Sequence, residues 1–166
     1  MSISRTTLTD DSGDNLSGTI WNNARLQAVY DAVESNWSAD TYTPTWGNTG
    51  TSNTTTGSTI GGSYFKIGKL VYFRITLTWG SGTASGNGAW TFTLPFTAAD
   101  SVGVNGACNA IYSDAGTLYK GTGVSASTTT IQMLSNASPL TSVSATVPFT
   151  WANGDAVYVT GIYIAA

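Results

Sequence analysis

Three carboxylates in the body of the chain, Asp100, Asp114 and Asp155, are the side chains best suited to chemistry. Two carboxyls about 5–10 Å apart across a cleft can hydrolyse a glycosidic bond, one as acid and the other as base or nucleophile. Their contexts are Ala-Ala-Asp-Ser, Ser-Asp-Ala-Gly and Asn-Gly-Asp-Ala, all turn-like. Aspartate in a turn ordinarily accepts hydrogen bonds from nearby backbone, so no catalytic residue is assigned. The chain has no His, which excludes Ser-His-Asp and Cys-His couples and His-bearing zinc sites. Its single cysteine, Cys108, reads as a small buried hydrophobe. Asp10-Asp-Ser-Gly-Asp-Asn15 spaces oxygen ligands loosely like a calcium loop. It lacks the glutamate at position twelve and the supporting helix pair, so neither a metal nor a cofactor is expected.

Sugar binding asks for something else: an aromatic platform beside neutral hydroxyls and amides. Trp46, Trp79, Trp151, Tyr112 and Tyr119 could supply the platform, and the chain is rich in Thr, Ser and Asn. Trp79 continues an apolar strand face and Trp46 suits the end of a core. Tyr112, Tyr119 and Trp151 lie near turns and are the residues assigned to possible glycan contact, although core packing is the better account of each.

The six Lys+Arg and nine Asp+Glu among 166 residues leave a net charge of −3. Scattered cations of that number do not make a nucleic-acid or anionic-lipid surface. No apolar run approaches the ~20 residues of a membrane helix, and the amino terminus lacks a signal-peptide core. Hydrophobic residues make up 41% of the chain, with six Trp and eight Tyr, enough to build a core. So low a charge density weakens the repulsion that keeps copies apart.

Charge is unevenly placed. Through residue 40 the balance is −4, and beyond it +1. Residues 1–18 are polar and aperiodic and read as a mobile or partner-ordered arm. Thr19 to Ser35 then reads as a helix with Thr19 as N-cap. Leu26, Val29 and Val33, flanked by Trp21, form an apolar stripe. A rod of ~25 Å is marginal alone in water, so it must pack. It either lies on its own β domain or joins copies in a short parallel bundle.

From Tyr42 the pattern changes to a period of two. Along Lys69–Trp79 the residues Val71, Phe73, Ile75, Leu77 and Trp79 share one face, and Trp90, Phe92 and Leu94 do so further on. Weaker strands follow at Val102–Ala110, Thr117–Val124 and Thr128–Leu134. The last, Asp155–Ile164, is expected at the centre of its sheet. The tract Gly47–Gly62 is either a long loop or two weak strands. Seven to nine short strands, Gly-rich turns and almost no helix predict a mainly β protein: a jelly-roll-like antiparallel β-sandwich with one N-terminal α-helix. The expected division is 1–40 for arm and helix and 41–166 for the β domain.

Tyr42-Thr-Pro-Thr-Trp46, the hairpin Gly62-Ser-Tyr-Phe-Lys-Ile-Gly-Lys-Leu-Val-Tyr-Phe-Arg-Ile75 and Gly88-Ala-Trp-Thr-Phe-Thr-Leu-Pro95 carry a resemblance. Together they resemble a module at the carboxyl ends of tailed-bacteriophage virion appendage proteins, of tail-fibre, minor tail or head-fibre type. Leu8-Thr-Asp-Asp-Ser-Gly and Gly18-Thr-Ile-Trp-Asn-Asn-Ala are similar to the starts of phage structural proteins. The resemblance implies a non-enzymatic virion component on the particle surface, in tail or capsid. It implies a trimer anchored to the particle at one end with an exposed β head. The helix stripe of Trp21, Leu26, Val29 and Val33 is the expected homotrimer contact, the N-terminal segment the expected anchor to other virion proteins, and a host surface glycan the expected partner of the head. A capsid decoration or cement protein, a small tail-associated glycan-degrading enzyme and a non-viral carbohydrate-binding module are the alternatives. Neither nucleic acid nor membrane insertion is expected.

Overall fold

Strand periodicity dominates the chain, and the computed structural model turns it into one curled antiparallel sheet. The structure describes residues 23–35, 37–100 and 108–166. Helix α1 (Asn23–Ser35) is followed by β1 (Trp37–Tyr42), β2 (Trp46–Asn48), β3 (Thr54–Thr56), β4 (Thr59–Ile67) and β5 (Leu70–Thr78). Then come β6 (Gly82–Ala84), β7 (Trp90–Thr93), β8 (Cys108–Asp114) and β9 (Thr117–Ser125), and finally β10 (Thr130–Ser135), β11 (Thr141–Ser142) and β12 (Ala156–Ile164). The sheet runs β1-β4-β5-β12-β8-β9-β10-β7-β2, with β11 beside β10, while β3 and β6 form a separate ribbon. The result is a half-barrel whose two halves close over each other like a sandwich, as the jelly-roll-like expectation required.

β12 lies between β5 and β8, in the central position expected of it. Its backbone is paired on both sides, with nine register pairs to β5 and six to β8. Alternation then sorts the side chains. Val71, Phe73, Ile75 and Leu77 of β5 are buried, as are Val157 and Val159 of β12, and they meet Trp90, Phe92, Ile131 and Met133 from the other half. Trp46, Trp79, Trp90 and Trp151 close one end of this core: Trp79 stacks on Trp90 at 5.6 Å, and Trp90 meets Trp46 at 4.8 Å and Trp151 at 4.5 Å.

Turn chemistry sets the register. Gly68 (φ 56°) opens the two-residue β4–β5 loop, and Ala115 (φ 44°) with Gly116 (φ 94°) makes the β8–β9 loop. The Gly47–Gly62 tract holds the short strands β2 and β3 and the start of β4 rather than one long loop. Twelve strands among the described residues exceed the expected seven to nine, because two- and three-residue pairings carry no periodic signal. β1 runs through the expected division at residue 40 and pairs with β4 from Trp37 onward. The arm 1–18, the helix start at Thr19, Trp21 and the first part of the Val102–Ala110 strand lie outside the described residues.

Candidate functional site

The three aromatic residues assigned to glycan contact are brought into one cluster, but the cluster is mostly internal. Tyr112 packs edge-on against Trp151 at 6.1 Å, Trp151 meets Phe149 at 4.4 Å, and Phe149 meets Tyr119 at 5.0 Å. Phe149, the link, was not singled out from sequence; its spacing two residues before Trp151 was the available signal.

Two of the three are unavailable to a ligand. Tyr112 is fully buried and its hydroxyl donates to the Leu134 carbonyl at 3.0 Å. Burial pushes its phenol well above the ordinary range. Trp151 is 7% exposed and its Nε1 donates to the Ser144 carbonyl at 3.0 Å. Both belong to the core: β8 turns Tyr112 inward, and Trp151 packs onto Trp90 from the connection between β11 and β12. Tyr119 is half-buried and reaches an open groove of about 610 Å³.

That groove lies where β9, the end of β10 and the connection through residues 136–148 meet. Lys120, Asn136 and Thr141 supply its polar rim, and Val147 and Pro148 also line it. The Asn136 N–H donates to the Lys120 carbonyl at 3.1 Å, tying the rim to β9. The Thr141 hydroxyl donates to the Pro139 carbonyl at 3.2 Å. An aromatic face beside an amide, a hydroxyl and a backbone edge suits the apolar face and hydroxyl rim of a sugar. None of the groove's lining residues is a carboxylate.

Of the three candidate acids, Asp155 occupies a structural position. Asp155 is 3% exposed, and its carboxylate accepts from the Ala152 N–H at 2.7 Å and the Ala115 N–H at 3.3 Å. It ties the β8–β9 turn to the turn before β12. Among the described residues no group of three or more His, Cys, Asp or Glu side chains could hold a metal ion. Cys108 is buried, and burial pushes its thiol up to about 12.

A second, shallower trough of about 330 Å³ lies on the outer face of β4 and β5, formed by Gly61, Gly62, Ser63, Arg74 and Thr76. Arg74 faces Ser63 there, and Gly61, the register partner of Thr76, adds no side chain to fill the trough.

On α1, Leu26 is half-buried, while Val29 and Val33 are each 47% exposed. Val29 and Val33 are therefore not buried against the β domain. No protein-family model, no curated protein and no solved structure matches this chain.

Proposed function

We propose that this chain is a bacteriophage virion structural protein: a short homotrimeric fibre or spike whose helix gathers copies and whose β domain adheres to a host surface glycan. The observation that carries this reading is the helix. Its Val29 and Val33 stand out into solvent, ahead of a β domain whose core is complete without them. A helix of 13 residues is too short to hold itself in water, so its apolar stripe needs a partner. Identical helices are the simplest partner for such a stripe. The segment preceding the helix, together with the helix bundle, is the means of attachment to other virion proteins.

The adhesive half of the reading rests on the groove beside Tyr119. One such groove is a weak sugar site. Three of them on one particle, and many particles' worth of copies on a cell, multiply a weak contact by avidity without any new chemistry. The neutral hydroxyl-rich surface fits a role in which the partner is an uncharged polysaccharide.

Sedimentation of the full chain tests the first half, and binding to immobilised bacterial surface polysaccharide tests the second. A three-fold mass and a saturable signal lost on Tyr119→Ala are expected. A monomer at every concentration overturns the fibre reading.

A further inference from the structure

The sheet carries a second apolar surface, on the side away from the core. Because β4, β5 and β12 are in register, their outward side chains fall into rows across the strands. Ile67, Leu70 and Ile164 form one row, and Phe65, Tyr72 and Ile162 form the next. All six are 37% to 49% exposed. Tyr158, one row beyond Thr160, adds another large side chain at 44%. With about 150–250 Å² on each aromatic side chain and rather less on each aliphatic one, these residues offer on the order of 600 Å². That is the upper end of the roughly 300–600 Å² found for the largest patch on an ordinary monomer.

Three observations identify the occupant as another copy of this chain. The two rows contain no ionised side chain; Arg74 stands in the next row, between them and Tyr158, and Lys69 in the β4–β5 turn. Across these two rows identical faces can therefore meet without opposing like charges. The patch also sits at the helix end of the sheet. α1 ends at Ser35, and Trp37 is the register partner of Ile67. With the exposed side chains of Val29 and Val33 added, the surface approaches the about 800 Å² per partner of a standard interface. Finally, the neighbouring sheet edge is guarded. The Asp40 carboxylate accepts from the Thr41 N–H at 2.7 Å, which puts a charge on the outer edge of β1. Extension of the sheet by another strand is disfavoured there, and contact through the face remains.

We infer that the outer face of β4, β5 and β12 is the interface between copies, the three faces converging on the axis around which the helices gather. This rests on the trimer reading and adds to it a contact by the β domain itself. The Arg74 trough then lies between the two apolar rows and Tyr158, and the Tyr119 groove on a different part of the sheet.

Sedimentation equilibrium on the full chain tests it with a patch variant (Tyr72→Lys with Ile162→Lys), a helix variant (Val29→Asp with Val33→Asp) and Leu118→Lys. Leu118 is 65% exposed and outside the patch, so its substitution is the control. The patch variant should weaken trimer formation at least tenfold while Leu118→Lys leaves it unchanged. A wild-type trimer that ignores the patch substitutions overturns the face and leaves the helix reading standing; a wild-type monomer overturns both. If the patch variant fails to fold, radical footprinting of the wild type decides. Tyr72 and Tyr158 should become protected as the trimer forms while Leu118 does not. Unchanged labelling of the two tyrosines, or their protection only by another virion component, sinks the inference.

Discussion

Tyr112 and Tyr119 are register partners across the β8–β9 ladder, yet only Tyr119 reaches solvent. The difference comes from Gly121. A side-chain carbon there would lie 2.3 Å from Cε2 of Tyr112 and 2.4 Å from the Leu134 carbonyl oxygen. The missing side chain is the space into which the Tyr112 ring folds.

Gly121→Ala should therefore destabilise the protein by about 2–3 kcal/mol through overpacking, read as a lower urea midpoint with unchanged slope. A variant as stable as the parent would mean that Tyr112 is not wedged against β9.

The two tyrosines should separate binding from stability. Tyr119→Ala should weaken binding to bacterial surface polysaccharide at least tenfold with little change in the unfolding midpoint. Tyr112→Phe should do the reverse, losing about 1 kcal/mol with its hydrogen bond and leaving binding intact. Equal loss of binding in both would remove the groove as the site.

Asp155 is expected to act as a staple between two turns. Asp155→Ala leaves the Ala152 and Ala115 N–H groups without their acceptor and should cost about 2–3 kcal/mol by denaturant titration. Asp155→Asn keeps one acceptor and should cost less. A neutral Asp155→Ala paired with lost turnover of a polysaccharide would instead point to catalysis.

Ala115 stands at φ 44°, a conformation that costs an alanine roughly 1 kcal/mol. Ala115→Asn places the preferred Asn-Gly pair in this turn, and stability should rise by about 0.5–1 kcal/mol. Thermal unfolding checks it, and a lower midpoint would refute the turn assignment.

Stability should be lost on the alkaline side. Burial pushes the Cys108 thiol up to about 12 from its ordinary 9.0, and pushes Tyr163 up to about 12 from 10.0. Burial first, and then the Tyr163 and Cys108 charges, raise Tyr42 in the same direction, and burial raises Tyr112. Below about pH 8 these groups are protonated in both states and contribute no pH dependence. Between there and about pH 12 the unfolded chain releases protons that the fold retains, so stability falls as pH rises. Urea midpoints across this range should decline, with tyrosinate absorbance for the buried rings appearing only on unfolding. Flat midpoints to pH 11 would contradict the burial of these groups.

Local patterning made much of the fold legible. Val71, Phe73, Ile75 and Leu77 alternate, and alternation in a strand assigns faces without knowledge of neighbours. The same rule sent Trp90 and Phe92 inward and marked Asp155 to Ile164 as a strand good enough to be central. The β4–β5 and β8–β9 turns were readable from Gly68 and Gly116, because glycine tolerates positive φ. Asp155 was recognisable as a backbone acceptor from its turn context alone.

Position in space decided the rest. Whether Tyr112, Tyr119 or Trp151 meets solvent depends on Gly121 and Phe149, which are distant in chain from at least one of them and close only after the sheet curls. The apolar rows Ile67–Leu70–Ile164 and Phe65–Tyr72–Ile162 were invisible in one dimension. Within β5 alone, Leu70 and Tyr72 look like the amphipathic side of an ordinary strand. They become a surface only when β4 and β12 pair on either side, because hydrogen-bond register sums three modest stripes into one continuous face. A linear pattern specifies which way each side chain points; only the non-local pairing of strands specifies what it points at.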